Sequence, residues 1–111
     1  MFKGSPKVLR KPNIILGRLF KRSLYQELKF LQRTGKIFNL QTQVKFILCH
    51  KFVYNEKTER EISYVADFTY LDGNANKIVE DVKGFKTEVY KIKRKLFLSR
   101  YGEDFIFREV K

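Results

Sequence analysis

The chain has one cysteine, Cys49, and one histidine, His50. A single thiol cannot close an internal disulfide, and the two residues fall short of the four protein ligands of a Cys/His zinc site. A reducing compartment fits that composition. Proline is confined to Pro6 and Pro12. No stretch approaches the roughly 18 consecutive apolar residues that a membrane helix needs, and the N-terminus lacks the apolar run of a signal peptide. These absences predict a soluble, cytoplasmic protein with no membrane partner. Acidic residues are scarce as well: 12 Asp and Glu stand against 24 Lys and Arg, for a net charge of +12. A polyanion is the partner such an excess favours, because every neutralised phosphate releases condensed counterions. An anionic membrane surface fits less well, since no terminal segment forms a basic amphipathic helix with a bulky apolar face.

What the chain does have is 43% hydrophobic residues, including 11 Phe and 6 Tyr, in 111 positions. That is enough apolar surface to offset chain entropy over one domain of this length. Residues 1–14, with Lys3, Lys7, Arg10 and Lys11 and no sustained apolar period, read as a basic flexible arm that could order on DNA. Residues 15–111 read as the folded domain.

Within the domain, Phe20, Leu24, Leu28 and Leu31 recur at steps of four, four and three, which predicts an amphipathic helix over about Leu19 to Thr34. Gly35 suits its C-terminal cap, and Ser23 with Gln26 has capping-box spacing, which would start the helix as late as Ser23. Val44, Phe46 and Leu48 alternate with Lys45, Ile47 and Cys49 and lead into Phe52, Val53 and Tyr54, the pattern of a strand. Asn55 to Arg60 read as a turn and Ile62 to Leu71 as a second strand. Asp72-Gly73-Asn74 is a hairpin signal, and Ile78 to Lys83 return as a third strand. After Gly84, the stripe Phe85, Val89, Ile92 and Leu96, broadened by Tyr90, Phe97 and Tyr101, predicts a second helix stopped by Gly102. Phe105, Phe107 and Val110 predict a final short strand. The expected order is α-β-β-β-α-β, an α/β domain.

In a strand of period two, Ile78 to Lys83 presents Val79, Asp81 and Lys83 on one face. The hairpin folds the preceding strand back antiparallel, so Asp67 is expected near Asp81 across the sheet. Two carboxylates and an amine then converge. Carboxylates hold Mg²⁺ or Mn²⁺ through hard oxygens, and such an ion polarises a phosphoryl oxygen and lowers the pKa of water. The lysine would position or deprotonate that water, or offset charge building on phosphorus. The bland alternative is a solvated sheet face, and Asp-x-Lys alone occurs often by chance. Lys86, Lys91, Lys93, Arg94 and Lys95 on the second helix would grip DNA phosphates beside the scissile bond.

The runs Tyr64-Val65-Ala66-Asp67-Phe68-Thr69-Tyr70 and Ile78-Val79-Glu80-Asp81-Val82-Lys83-Gly84, followed by Thr87, Tyr90 and Lys91 to Phe97, resemble a family of small phage-encoded proteins. That family is similar to PD-(D/E)XK nucleases, Holliday-junction resolvases among them. The resemblance extends upstream through Tyr25-Gln26-Glu27-Leu28 and through Leu40 to Phe46, including Gln43. It implies a single-domain restriction-endonuclease-like core, a mixed sheet flanked by helices. It also implies Asp67 and Asp81 as metal ligands and Lys83 as the catalytic lysine. Two positions depart from the pattern. Ala66 stands where Pro is usual, which removes no ligand. Lys21 stands where many members carry a metal-facing Glu on the first helix, and Glu27 is the nearest helical carboxylate to replace it.

Together these readings lead to a Mg²⁺- or Mn²⁺-dependent DNA endonuclease of a bacterial host cytoplasm, acting on branched or phage DNA, with Asp67, Asp81, Lys83 and Glu27 as catalytic residues. A homodimer cutting two strands suits that activity. The alternative class is an inactive DNA-binding or regulatory protein on the same scaffold.

Overall fold

The computed structural model describes residues 14–82 and 86–110. Lys83, Gly84 and Phe85, and the basic arm up to residue 13, lie outside the described residues. The elements run α1 (Ile14–Arg33), β1 (Phe38–Cys49), β2 (Phe52–Tyr54), β3 (Lys57–Glu59), β4 (Ile62–Leu71), β5 (Lys77–Val82), α2 (Glu88–Tyr101) and β6 (Ile106–Val110). Strands β1, β4, β5 and β6 form a four-stranded sheet in the order β1-β4-β5-β6, while β2 and β3 pair as a separate two-stranded hairpin. The β1–β4 and β4–β5 pairs are antiparallel and β5–β6 is parallel, so the sheet is mixed. The protein is α/β.

Helix α1 begins earlier than the capping signal at Ser23 implies, and Ser23 lies within it. Its end follows local chemistry. Gly35 adopts φ +80, its N–H reaches the Gln32 carbonyl at 3.1 Å, and the Lys36 N–H reaches the Leu31 carbonyl at 2.8 Å. This double closure satisfies two of the helix's last carbonyls and needs a left-handed residue. Nothing lies within 4 Å of a Cβ built on Gly35. Gly35→Ala is therefore expected to cost about 1 kcal/mol through backbone strain alone, read as a lowered midpoint in urea with an unchanged slope.

The hairpin signal at Asp72 also resolves as a turn. Asp72 Oδ1 accepts the N–H groups of Asn74 and Asn76 at 2.9 Å each, and Ala75 takes φ 65. Leu71 pairs with Lys77, so β4 returns directly as β5. The Asn55–Arg60 stretch differs from expectation: only Asn55 and Glu56 turn, with φ 54 and 63, and Lys57–Glu59 form a strand. The side chains of β3 are all exposed, so its sequence shows no apolar alternation to mark it.

The two helices cover opposite faces. Leu28, with Phe20, Leu24, Tyr25 and Leu31, packs on Phe68, Tyr70, Ile78 and Val82. Tyr90 and Phe97 of α2 pack with Leu48, Tyr64, Ala66 and Val79. The second helix corrects the expected stripe: Val89 and Ile92 are 61% and 59% exposed, while Tyr90 and Phe97 are buried. The larger rings fill the hollow between sheet and helix. Phe97 has ring neighbours in Phe46, Tyr64, Tyr101, Phe105 and Phe107 at centroid distances of 4.9 to 6.2 Å.

Candidate functional site

Strand β4 does not alternate regularly. Tyr64 and Ala66 belong to the α2-side core, whereas Phe68 and Tyr70, of the same parity, belong to the α1-side core. The switch occurs at Asp67. Strand β1 turns over with it: Val44 pairs with Ala66 and Thr42 with Phe68, and the residue between, Gln43, has φ 53. At this crossing Asp67 is buried, at 6% exposure, and its carboxylate stands in for a sheet bond, Oδ2 accepting the Val82 N–H at 2.8 Å. Oδ1 accepts from Gln43 Nε2 at 3.4 Å and lies 3.0 Å from Lys21 Nζ.

Asp81 is fully buried. The β4–β5 register runs from Leu71 with Lys77 to Phe68 with Glu80, and Asp67 and Asp81 are the next residue of each strand. Burial pushes the Tyr64 hydroxyl pKa up, and the charge of Asp81 and, more weakly, that of Asp67 push it further. Both carboxylates thus act on one phenol. Tyr90 flanks Asp81 from α2, its pKa raised by burial, by its hydrogen bond to Glu109 and by the charge of Asp81.

Glu109 was not legible as a site residue. The parallel β5–β6 register pairs it with Asp81. It accepts from the Tyr90 hydroxyl at 2.5 Å, and it pairs with Lys86 Nζ at 3.1 Å and Arg94 Nε at 3.6 Å. Burial alone would raise its pKa; the Tyr90 hydrogen bond and the Lys86 and Arg94 cations more than reverse that and lower it. Two of the five cations expected to bind DNA are thereby held beside the Asp81 strand. Lys91 pairs instead with Glu88 at 3.2 Å, Lys93 is half-buried and Lys95 is exposed. No sequence period flags Glu109, because its neighbour comes through a crossover connection.

The opposite face carries a second acid. Glu80 is buried and bonded to the Tyr70 hydroxyl, with Arg108 Nη1 at 3.7 Å. Exposed Glu27 of α1 acts on Glu80 by its charge, whereas the α1 side chain that reaches Asp67 is Lys21. Burial raises the Glu80 pKa above its ordinary 4.5, against the lowering effect of Tyr70 and Arg108. A carboxylate raised in the folded state contributes its stability fully below about 4.5 and loses it as pH rises through the higher folded value. Glu80→Gln keeps an acceptor for Tyr70 and removes the titration. Melting temperatures from acid to neutral pH should therefore fall less in the variant than in the wild type, and parallel curves would refute the assignment.

Among the described residues no three His, Cys, Asp or Glu side chains stand in metal-holding geometry. Mg²⁺ commonly takes one or two carboxylates and fills its remaining positions with water and substrate phosphate, and Asp67 and Asp81 are the carboxylates that could supply them. Lys83, expected beside Asp81, is outside the described residues. Among the described residues no helix is long and apolar enough to cross a membrane.

No curated protein and no solved structure matches the chain. The family model for a protein of unknown function, DUF1064, matches residues 14–111, and the chain belongs to that family.

Proposed function

We propose that this protein is a metal-dependent DNA endonuclease with a restriction-endonuclease-like core. The observation that carries the reading is the pair of buried carboxylates, Asp67 and Asp81, set on neighbouring strands in a chain of net charge +12. Burying a carboxylate is costly unless cations or hydrogen bonds compensate it. A divalent ion held there would polarise the scissile phosphate and activate water. Asp67 is held by the Val82 N–H and Gln43, and Asp81 lies within electrostatic reach of Tyr64 and Tyr90. Lys83 would hold the attacking water or offset charge on phosphorus. Lys86 and Arg94, steadied by Glu109, would lie along the phosphate path, with Lys91, Lys93 and Lys95 further along the helix. The test incubates plasmid and synthetic four-way junctions with the protein, with and without Mg²⁺ or Mn²⁺. Metal-dependent nicking that Asp81→Ala and Lys83→Ala remove is expected; DNA left intact under every condition would sink the reading.

One observation favours a second reading, a DNA-binding protein without nuclease activity. Lys21 already supplies Asp67 with a cation. Its side chain is 43% exposed, so the pair is worth at most about 1 kcal/mol. If an ion displaces it, Lys21→Ala should tighten Mn²⁺ binding by up to about fivefold in calorimetry. Mn²⁺ binding absent from both proteins, with salt-dependent DNA affinity intact, would favour the second reading.

A further inference from the structure

The hairpin of β2 and β3 is a surface without a purpose inside the chain. It forms its own two-stranded sheet, and every side chain in both strands is exposed. Phe52 and Tyr54, 49% and 70% exposed, share one face of the ribbon with Lys57 and Glu59, while Val53 lies on the other. A two-stranded ribbon of this length is marginal in water by itself, and its turn holds Asn55 and Glu56 at positive φ, which for Glu56 is strained. Apolar residues gathered on such an arm mark a contact with another macromolecule.

Charge decides which one. Residues 50–65 contain Lys51, Lys57 and Arg60 against Glu56, Glu59 and Glu61, three of each sign, so the arm is electrically balanced while the chain as a whole carries +12. Nucleic acid would draw a positive surface, and this is the segment from which the excess is missing. Two copies of so basic a protein repel each other unless they meet where that charge is absent. Lys45 on β1 occupies Glu61 at 2.5 Å. That leaves Lys51, Lys57 and Arg60 to face Glu56 and Glu59 across a twofold axis, where each sign meets its opposite.

We infer that the β2–β3 arm is the contact through which two copies of this chain form a dimer. The arm of each copy lies on that of the other, Phe52 and Tyr54 provide the apolar centre, and Lys57 and Glu59 form the rim. The inference does not depend on nuclease activity.

Sedimentation velocity and light scattering over a concentration series test it on the full chain. The wild type should have twice the 13.3 kDa mass of one chain. Phe52→Lys and Tyr54→Glu, at side chains that touch no core, should halve that mass and leave the circular dichroism and the DNA affinity per chain unchanged. A charge pair guards against trivial unfolding: Lys57→Glu alone and Glu59→Lys alone should weaken the dimer, and an equal mixture of the two should restore it. A wild type monomeric at every concentration would overturn the inference, as would a dimer indifferent to all four substitutions. DNA affinity lost in Phe52→Lys with the mass unchanged would assign the arm to nucleic acid and overturn it too.

Discussion

Replacing Asp81 by alanine is expected to slow metal-dependent DNA cleavage by on the order of a thousandfold. A metal ion contributes several kcal/mol to the charge developing in phosphoryl transfer, and each 1.36 kcal/mol is a factor of ten. Asp81 is the more buried of the two acids, and its charge acts on both Tyr64 and Tyr90. Asp81→Asn makes the cleaner comparison, because it keeps the shape and an oxygen while removing the charge. Under single-turnover conditions both variants should lose cleavage. DNA affinity in metal-free buffer should hold or rise, since one negative charge beside the phosphate path is gone. A folded Asp81→Asn protein that cleaves within tenfold of the wild type would remove Asp81 from the reaction.

Phe97→Ala should cost about 3–5 kcal/mol of stability, the range for truncating a buried aromatic. Phe97 is fully buried at the centre of the α2-side core, and its ring touches partners contributed by β1, β4, α2 and β6 and the residue preceding β6. No neighbour can collapse into the void without breaking another ring contact, so the cost should fall in the upper half of that range. For a domain of this size it is a large share of total stability. Denaturant unfolding should show the midpoint falling; a loss below about 1 kcal/mol would mean that the aromatic core is not packed as described. Leu96→Ala on the exposed side of the same helix should cost far less, and the contrast tests the helix's orientation independently of any function.

That orientation marks a limit of periodicity. Val89, Ile92 and Leu96 have better helical spacing than Tyr90 and Phe97, yet the latter are buried. Residues of α2 are apolar around more than half its circumference, so period alone offers two stripes. The depth of the hollow above Val79 and Leu48 selects the one with rings long enough to fill it. The α1 stripe had no such competitor, and its Leu28, Phe20, Leu24 and Leu31 pack where expected. Turns were legible for a different reason. Gly35 and Asp72 act on their own backbone within a few residues, so their chemistry needs no distant partner.

The acids divide the same way. Asp67 and Asp81 stand out in sequence because a hairpin joins their strands, and a short hairpin makes sequence spacing into spatial spacing. Even there the alternation that should place Asp67 fails, because β1 and β4 turn over together at Gln43 and Asp67. Glu109 reaches Asp81 only through a parallel crossover by way of α2, and Lys21 reaches Asp67 only through the packing of α1 on the sheet.

By itself, then, the amino-acid order determined the charge imbalance, the helix end at Gly35, the hairpin at Asp72 and the identity of two acids on consecutive strands, all properties of residues or of near neighbours along the chain. Tertiary structure alone decided which face of α2 is buried, that Lys21 meets Asp67, that Glu109 on β6 draws Lys86 and Arg94 beside Asp81, and that the β2–β3 arm stands uncovered. Those facts join elements far apart in sequence, and contacts of that kind are chosen by the packing of the whole domain rather than by any local preference.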